Sequence, residues 1–361
     1  MGVPVTYVLS NEDVARLVTM PECIETLETA YRDLADGRGT DRRRSDSFVP
    51  TARPGALYSL KSMDGIVPSL GVGAVRINSD IVHWPTRGGA ARREKIPTAP
   101  GARWVGLVLL FSVETGEPLA IFPDGVLQRM RVGATNGIAA RHLARADAHE
   151  IGLIGTGWQA GGQLMAMGAV RDIRRVRCWS TTAEHVRAFA GEWSATLGIE
   201  ILPAATPEEA VRGADIVVCA TSSIDHVFFA RWVEPGVHLS SIKRPEIEPA
   251  AIRRADRVVI HSRNDAPTHV VARGVELPET TAGKGWRLLE EIDFATLPTL
   301  PDLIAGRVPG REAPEQVTCF LNNIGMGFQF AAAGALLYQK AKAAGAGHEL
   351  PTEWFTQDVH P

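Results

Sequence analysis

Residues 151–164 read IGLIGTGWQAGGQL. An apolar run ends there on two glycines one residue apart, followed by a tryptophan and, two places on, an alanine. A buried strand that breaks on Gly155-x-Gly157-x-x-Ala160 and continues as a helix has a specific use. Gly155 permits the tight turn, Gly157 lets backbone approach a pyrophosphate, and Ala160 is small enough for close helix–strand packing. The new helix aims free N–H groups and the positive end of its dipole at the phosphates. Thr156, Trp158 and Gln159 fill the variable positions of the same corner. A plain tight turn can also carry such glycines, so the flanking pattern decides; a strand before and a helix after make the signal strong.

That pattern extends in both directions. Strand EIGLIGTG leads into helix AGGQLMAMGAV, strand RVRCWS into helix AEHVRAFAGEWSATLG, and strand IEILPA into helix PEEAVRGA. Strands DIVVCAT, HLSSI and RVVIH follow, with helix PAAIRRA before the last. Such alternation implies right-handed βαβ units and a parallel sheet covered on both faces. We expect a Rossmann-type NAD(P)-binding domain over 126–318. Ahead of it, residues 10–37 read as two helices, with Ser10 or Asn11 as a cap and Pro21 in a first turn. Strand-like runs follow at 56–63, 72–82 and 104–113, the last joined to LAIFP through ETGEP as a hairpin. Residues 83–103, rich in Gly, Pro, Arg and Lys, read as a long mobile loop, either a lid or a surface insertion. The tail GMGFQFAAAGALLYQKAKAAGAG reads as a helix packing back on the N-terminal part. The expected fold is therefore α/β: the Rossmann-type domain plus an α+β substrate-binding and dimerisation domain made from 1–125 and 319–361.

Composition narrows the partners. Of 361 residues 45% are apolar and 22% charged, the profile of an ordinary globular chain, and 38 Lys plus Arg against 41 acids leave a net charge of −3. Without excess cation, nucleic acid and membrane surfaces are poor partners. Cys23, Cys178, Cys219 and Cys319 are far apart and form no CxxC or Cys/His cluster, so reduced, buried thiols and no metal site are expected. No signal peptide is expected from the opening MGVPVTYVLS, and no run of roughly 20 apolar residues occurs in the sequence. A cytoplasmic location is the expectation.

The second Rossmann strand ends Cys178-Trp-Ser-Thr-Thr182. A site for NAD usually carries an acidic residue about 20 positions on, for the ribose 2′-hydroxyl. Here Ser180 stands 25 residues after Gly155 and no carboxylate occupies the tip. Ser180, Thr181 and Thr182 can donate to a 2′-phosphate, with Arg187 or Arg177 supplying charge, so NADP is expected over NAD. Alternatively these hydroxyls merely cap the next helix. Thr221 and Ser222, and Ser240, Ser241 and Ile242, end the next two strands where ribose and nicotinamide contacts would fall, or they start turns. The substrate then needs an anion site. Arg76 interrupts an apolar strand, and Arg131 heads a largely apolar helix with Thr135 one turn later. A half-buried guanidinium fork suits a carboxylate, although internal salt bridges with Asp64 or Asp80 would also account for such arginines. Lys61 is a further carboxylate ligand or proton carrier.

These stretches together resemble the ornithine cyclodeaminase and mu-crystallin family, which includes archaeal-type alanine dehydrogenases and ketimine reductases. The resemblance covers nearly the whole chain. It is carried by LYSLKSM and the Arg76 strand, LVLLFSVETGEPLAIF, DGVLQRMRVGATNGIAARHLARADA, IGLIGTGWQAGGQ, PTLPDLIAGRVPGRE and VTCFLNNIG. It implies that Arg131 grips the substrate carboxylate, with Val132 and Gly133 replacing the family's next two residues. It implies the same for Arg44 and pairs the family's strand lysine with Arg76. Trp158 and Gln159 fall where the family's loop covers the pyrophosphate, and Ser180 falls where NAD-using members carry Asp. One departure matters. Cyclodeaminases of this family carry an Asp after the fifth Rossmann strand, whereas SSIKRPEIEP (240–249) offers Lys243, Arg244 and, as its nearest acid, Glu246. Two cations there repel an ammonium substrate and suit a second carboxylate.

The resemblance and the residues together imply a homodimeric NADP(H)-linked oxidoreductase acting at the C–N bond of an amino or imino acid. Arg44, Arg76 and Arg131 would hold the α-carboxylate, Lys243 and Arg244 a second acidic group, and Lys61 or Glu246 would carry the proton. A cyclodeaminase, and a ligand-binding protein that holds NADPH with little turnover, are the alternatives.

Overall fold

In a computed structural model the structure describes residues 4–87, 90–91, 93–263, 267–277 and 291–359. Two compact units are present. One is built from the described residues of 1–131, 266–282 and 326–361, the other from those of 132–265 and 283–325.

The first unit contains a ten-stranded sheet. Its strands are β1 (Val5–Val8), β2 (Thr40–Asp41), β3 (Ser45–Pro50), β4 (Ala56–Val67), β5 (Val72–His83), β8 (Glu94–Ile96), β9 (Val105–Ser112), β10 (Pro118–Pro123), β17 (Thr268–Val271) and β19 (His348–Pro351). The main path runs β17-β3-β4-β5-β9-β10-β1-β19, with β2 on β4 and β8 on β5. Strict alternation decides the faces. Along β5 every even-numbered residue from Val72 to Val82 is buried and every odd-numbered one only half-buried. Antiparallel register sets Lys61 opposite Asn78, Met63 opposite Arg76 and Ser59 opposite Asp80, so these side chains share the inner face.

One helix packs on that face and two more pack on that helix. α1 (Asn11–Leu17) starts in a reciprocal cap: Ser10 Oγ accepts from Asp13 N at 3.1 Å and Asp13 accepts from Ser10 N at 3.0 Å. α2 (Met20–Ala35) takes Pro21 in its first turn and buries Ile24, Leu27 and Tyr31. The tail helix α9 (Gly327–Ala344) packs on β4 and β5 and buries Phe328 and Phe330.

Three expectations are revised here. Residues 83–103 are not a bare loop: a hairpin of β6 (Thr86–Arg87) and β7 (Ala90–Ala91) leads to β8, which pairs antiparallel with β5, Val82 opposite Lys95. β17, from a stretch expected inside the Rossmann domain, pairs in parallel with β3. The break expected at 126 falls instead inside α3 (Gly125–Leu143), whose residues from 132 onward belong to the second unit.

The second unit is a seven-stranded sheet whose pairings are all parallel. Its strands are β11 (Glu150–Ile154), β12 (Arg175–Trp179), β13 (Glu200–Pro203), β14 (Ile216–Cys219), β15 (His238–Ser241), β16 (Arg257–Ile260) and β18 (Thr318–Leu321), ordered β13-β12-β11-β14-β15-β18-β16. Its helices are α4 (Trp158–Val170), α5 (Ala183–Leu197), α6 (Pro207–Val211), α7 (Pro249–Ile252) and α8 (Leu300–Ile304). β14, β15 and β18 are buried at every residue, as a sheet covered on both sides requires. From β11 the chain runs outward through β12 and β13, then returns to β14 on the other side. The order therefore reverses at the end of β11, where open α/β sheets place their ligands. All four cysteines are buried and none forms a disulfide. Among the described residues no helix is long and apolar enough to cross a membrane.

Candidate active site

The corner after β11 needs its first glycine for the protein's own sake. Gly155 has φ +103°, and a Cβ there would lie 2.3 Å from the carbonyl oxygen of Ala220. Gly157 is different: a Cβ there meets nothing within 4 Å. Nothing in the fold calls for a glycine at that position, whereas a ligand lying against the backbone does. Gly157 caps α4 without any side-chain bond, leaving N–H groups of the first turn directed outward. Ala160 is fully buried and Trp158 is 55% exposed beside the corner. Gln159 Oε1 and Ser241 Oγ are buried without a hydrogen-bond partner among the described residues. A cradle that a side chain would fill, together with orphaned polar atoms at the carboxyl edge, fits a dinucleotide.

Gly155 N donates to Trp179 O at 2.8 Å, which sets the tip of β12 beside the corner. Ser180 is half-buried there and Thr181 and Thr182 are exposed. Thr182 is the N-cap residue of α5 but its side chain makes no cap hydrogen bond, so capping does not account for that hydroxyl. Arg187 lies on the exposed side of α5. Arg177 points elsewhere, to Arg212 O and to Glu150 at 3.3 Å. Thr135 is fully buried on α3.

The 240–249 loop departs from expectation. Glu246, fully buried, accepts from Thr221 N at 2.6 Å, Thr221 Oγ1 at 2.8 Å, and Ile242 N and Lys243 N at 2.9 Å each. Burial pushes its carboxyl up to about 7 against those bonds. Engaged on every side by its own unit, it has the geometry of a brace between the ends of β14 and β15, not of a proton carrier. Lys243 Nζ donates to Ser223 O at 2.6 Å, and Arg244 stacks over Phe294 at 3.8 Å. Both expected readers of a second carboxylate are thus engaged inside the second unit.

The first unit gathers the other candidates on the inner face of β3, β4 and β5. Arg131 donates to Gln329 Oε1 at 2.8 Å and lies over the Phe330 ring at 5.0 Å. Burial, then Arg76, pull its guanidinium down to about 9, so it remains a cation at neutral pH whose charge is poorly solvated. Arg76 pairs with neither Asp64 nor Asp80, the acids that the sequence offered: it directs Nε (2.8 Å) and Nη2 (2.6 Å) at Asp124, which also accepts from Asn78 at 3.0 Å. Asp80 pairs instead with Lys61 at 2.8 Å, and Asp64 with Arg42 at 2.6 Å. Two of the three Arg76 nitrogens are thereby committed, which makes this residue a pillar of the site more than a free carboxylate ligand. Arg44 forms a fork on Asp46, at 2.9 and 3.0 Å. Gly106 exists for this cluster, since a Cβ there would lie 2.1 Å from Asp124 Oδ1.

Lys61 is buried, and that burial, followed by Arg93, brings its ammonium down to about 7, with Asp80 opposing. Arg44, Lys61, Arg76, Lys95 and Arg131 thus share Asp46, Asp80 and Asp124, while burial pushes Asp41, also within reach of Arg131, up to about 7. Among these residues cations outnumber carboxylates, a balance that can accommodate an anion. Asn78, Asp124 and Gln329 were missed from sequence, and Asp80 was read there only as a salt-bridge partner for an arginine. The polar residues at 76, 78 and 80, at strand period, were the available signal.

The model of the Ornithine cyclodeaminase/mu-crystallin family matches residues 4–345. The chain belongs to this family. It is 29% identical to a Δ1-pyrroline-2-carboxylate reductase of Bacillus cereus over 95% of this chain and 99% of that one. Among solved structures it is similar to the Thermococcus litoralis Δ1-pyrroline-2-carboxylate reductase in complex with NADH and L-proline, at 25% identity and TM-score 0.77, covering 96% of this chain and 100% of that one. An archaeal alanine dehydrogenase dimer with bound NAD follows at 25% identity and TM-score 0.76, covering 96% and 99%. A Rossmann-type unit with a second unit, here built on a largely antiparallel sheet, is the fold shared with these relatives.

Proposed function

We propose that the chain reduces the C=N bond of a cyclic or open imino acid with a nicotinamide cofactor, NADPH in preference to NADH. The chain is an oxidoreductase. The carrying observation is the buried cationic row of the first unit, with Arg131 at its centre. Arg131, helped by Arg44 and the remaining nitrogen of Arg76, binds and orients the α-carboxylate. Lys61, a buried ammonium near 7, holds the proton that the substrate nitrogen takes up. When bound, the nicotinamide supplies the hydride; Gly155, Thr156, Gly157, Trp158, Gln159 and Ala160, with Thr135, Thr221, Ser222, Ser241 and Ile242, would hold it. NADP preference rests on the absence of a carboxylate at Ser180, Thr181 and Thr182 and on Arg187 nearby, even though the solved relatives carry NADH and NAD.

A homodimer is supported by the outer sheet face of the first unit, where Val49, Leu60, Ile66, Val105, Leu107 and Val270 are 40–55% exposed on adjoining strands. Purified protein given Δ1-pyrroline-2-carboxylate should consume NADPH and form proline, more efficiently than with NADH. Ornithine converted to proline with ammonia released and no net NADPH consumed would establish a cyclodeaminase instead. Tight NADPH binding without turnover on imines, keto acids or amines would establish a binding protein.

A further inference from the structure

The segment between β5 and β9 has no task in the reading above. Yet its strand β8 sets Lys95 opposite Val82, on the inner face and close to Asp80. Asp80 is fully enclosed and its two oxygens are divided. Oδ2 receives Lys61 Nζ at 2.8 Å and Oδ1 forms an ion pair with Lys95 Nζ at 3.0 Å. The two lysines differ in surroundings: the Lys61 side chain is 6% exposed and that of Lys95 41%. One carboxylate is thus shared between a buried ammonium and a solvated one, brought by separate stretches of chain.

We propose that Asp80 and Lys95 are positioning residues for Lys61: Asp80 fixes the Lys61 ammonium, and Lys95, by taking the second oxygen, loosens the hold of Asp80 on the Lys61 proton. Physically, an anion already partly neutralised by one cation stabilises a second one less. Other charges facing Lys61 are Asp46, opposite it on β3 and engaged by Arg44 and by His269 at 3.9 Å, and Arg93, just ahead of β8. Of these, Asp80 bonds Lys61 directly, and Lys95 shares that same carboxylate.

The inference rests on the proposed reductase only for its meaning in turnover, so the test has two readouts. Competitive acetylation of the intact protein across pH, with the Lys61 peptide quantified by mass spectrometry, reports the Lys61 titration without any substrate. Lys95→Met should move the labelling midpoint upward and Asp80→Asn downward, each by about half a pH unit or more, and Lys95→Arg should restore the wild-type midpoint. The alkaline limb of kcat/KM for imine reduction should move with each midpoint. An unmoved midpoint in Lys95→Met, or equal movement in Lys95→Arg, overturns the inference. Should Asp80→Asn fail to fold, the two Lys95 variants decide, since that side chain is partly exposed and outside the core. Midpoints that shift as expected in a protein that reduces no imine would keep this inference and reject the reductase reading.

Discussion

The two units bury carboxylates and use them in opposite ways. In the first, Asp46, Asp80 and Asp124 face guanidinium and ammonium groups. In the second, Glu246 faces three backbone N–H groups and one hydroxyl. An anion balanced by side-chain charges can give up part of that balance when a ligand arrives, because side chains rotate and protons move. An anion clamped by peptide dipoles cannot, because its partners are the fold itself. On this contrast Asp46, Asp80 and Asp124 can respond to an arriving anion, whereas Glu246 cannot.

The largest expected effect falls on the first unit alone. Arg131→Met should lower kcat/KM for the imino acid by about 10²–10³-fold, the loss of a buried charged contact. Dinucleotide affinity, followed by NADPH fluorescence, should stay within about twofold. A comparable fall in dinucleotide affinity would break the division of labour.

A pair of glycines sharpens it. Gly106→Ala forces a Cβ into Asp124 and should destabilise the protein by about 2–4 kcal/mol in a denaturant titration. Gly157→Ala meets open space, so stability should hold while NADPH binds about tenfold more weakly. Equal effects on stability would remove the argument that Gly157 is kept for a ligand.

Glu246→Gln separates brace from proton carrier. It should cost about 1–3 kcal/mol of stability while turnover per folded molecule persists. Because burial raises this carboxyl from 4.5 to about 7, the native state holds its proton more tightly than the unfolded chain. The part of its contribution that depends on the bound proton is therefore full below about 4.5, declines as pH rises, and is gone above about 7, and the Gln variant should lack that slope. The smallest effect expected is at the β12 tip. Ser180→Asp should shift preference from NADPH toward NADH by about tenfold, measured as the ratio of kcat/KM values.

The parallel unit was largely legible because each of its signals is local. The glycine corner, the alternation of buried strands and helices, and the missing carboxylate at Ser180 are all readable within a few residues. The first unit was legible in its helices, its long strands and the β9–β10 hairpin, but not in its short strands. β1, β3, β17 and β19 are short, and β17 and β19 gain their meaning from partners that lie hundreds of residues away. The site followed the same rule. Arg76 and Arg131 could be picked out as charges set in apolar runs. That Arg76 would find Asp124, or Asp80 be shared with a lysine from 94–96, depends on register between strands, which no single segment carries.

The first unit draws on both ends of the chain: β19 lies beside β1, and α9, which supplies Gln329 and Phe330, covers β4 and β5. On a ribosome, residues 1–131 would emerge with their basic row uncovered and one edge of β1 unpaired until residues 327–351 have followed. The parallel unit has no such wait beyond residue 325. Nascent chains should therefore acquire protease resistance in the parallel unit first, and the antiparallel half is the part that needs a chaperone's shelter during synthesis.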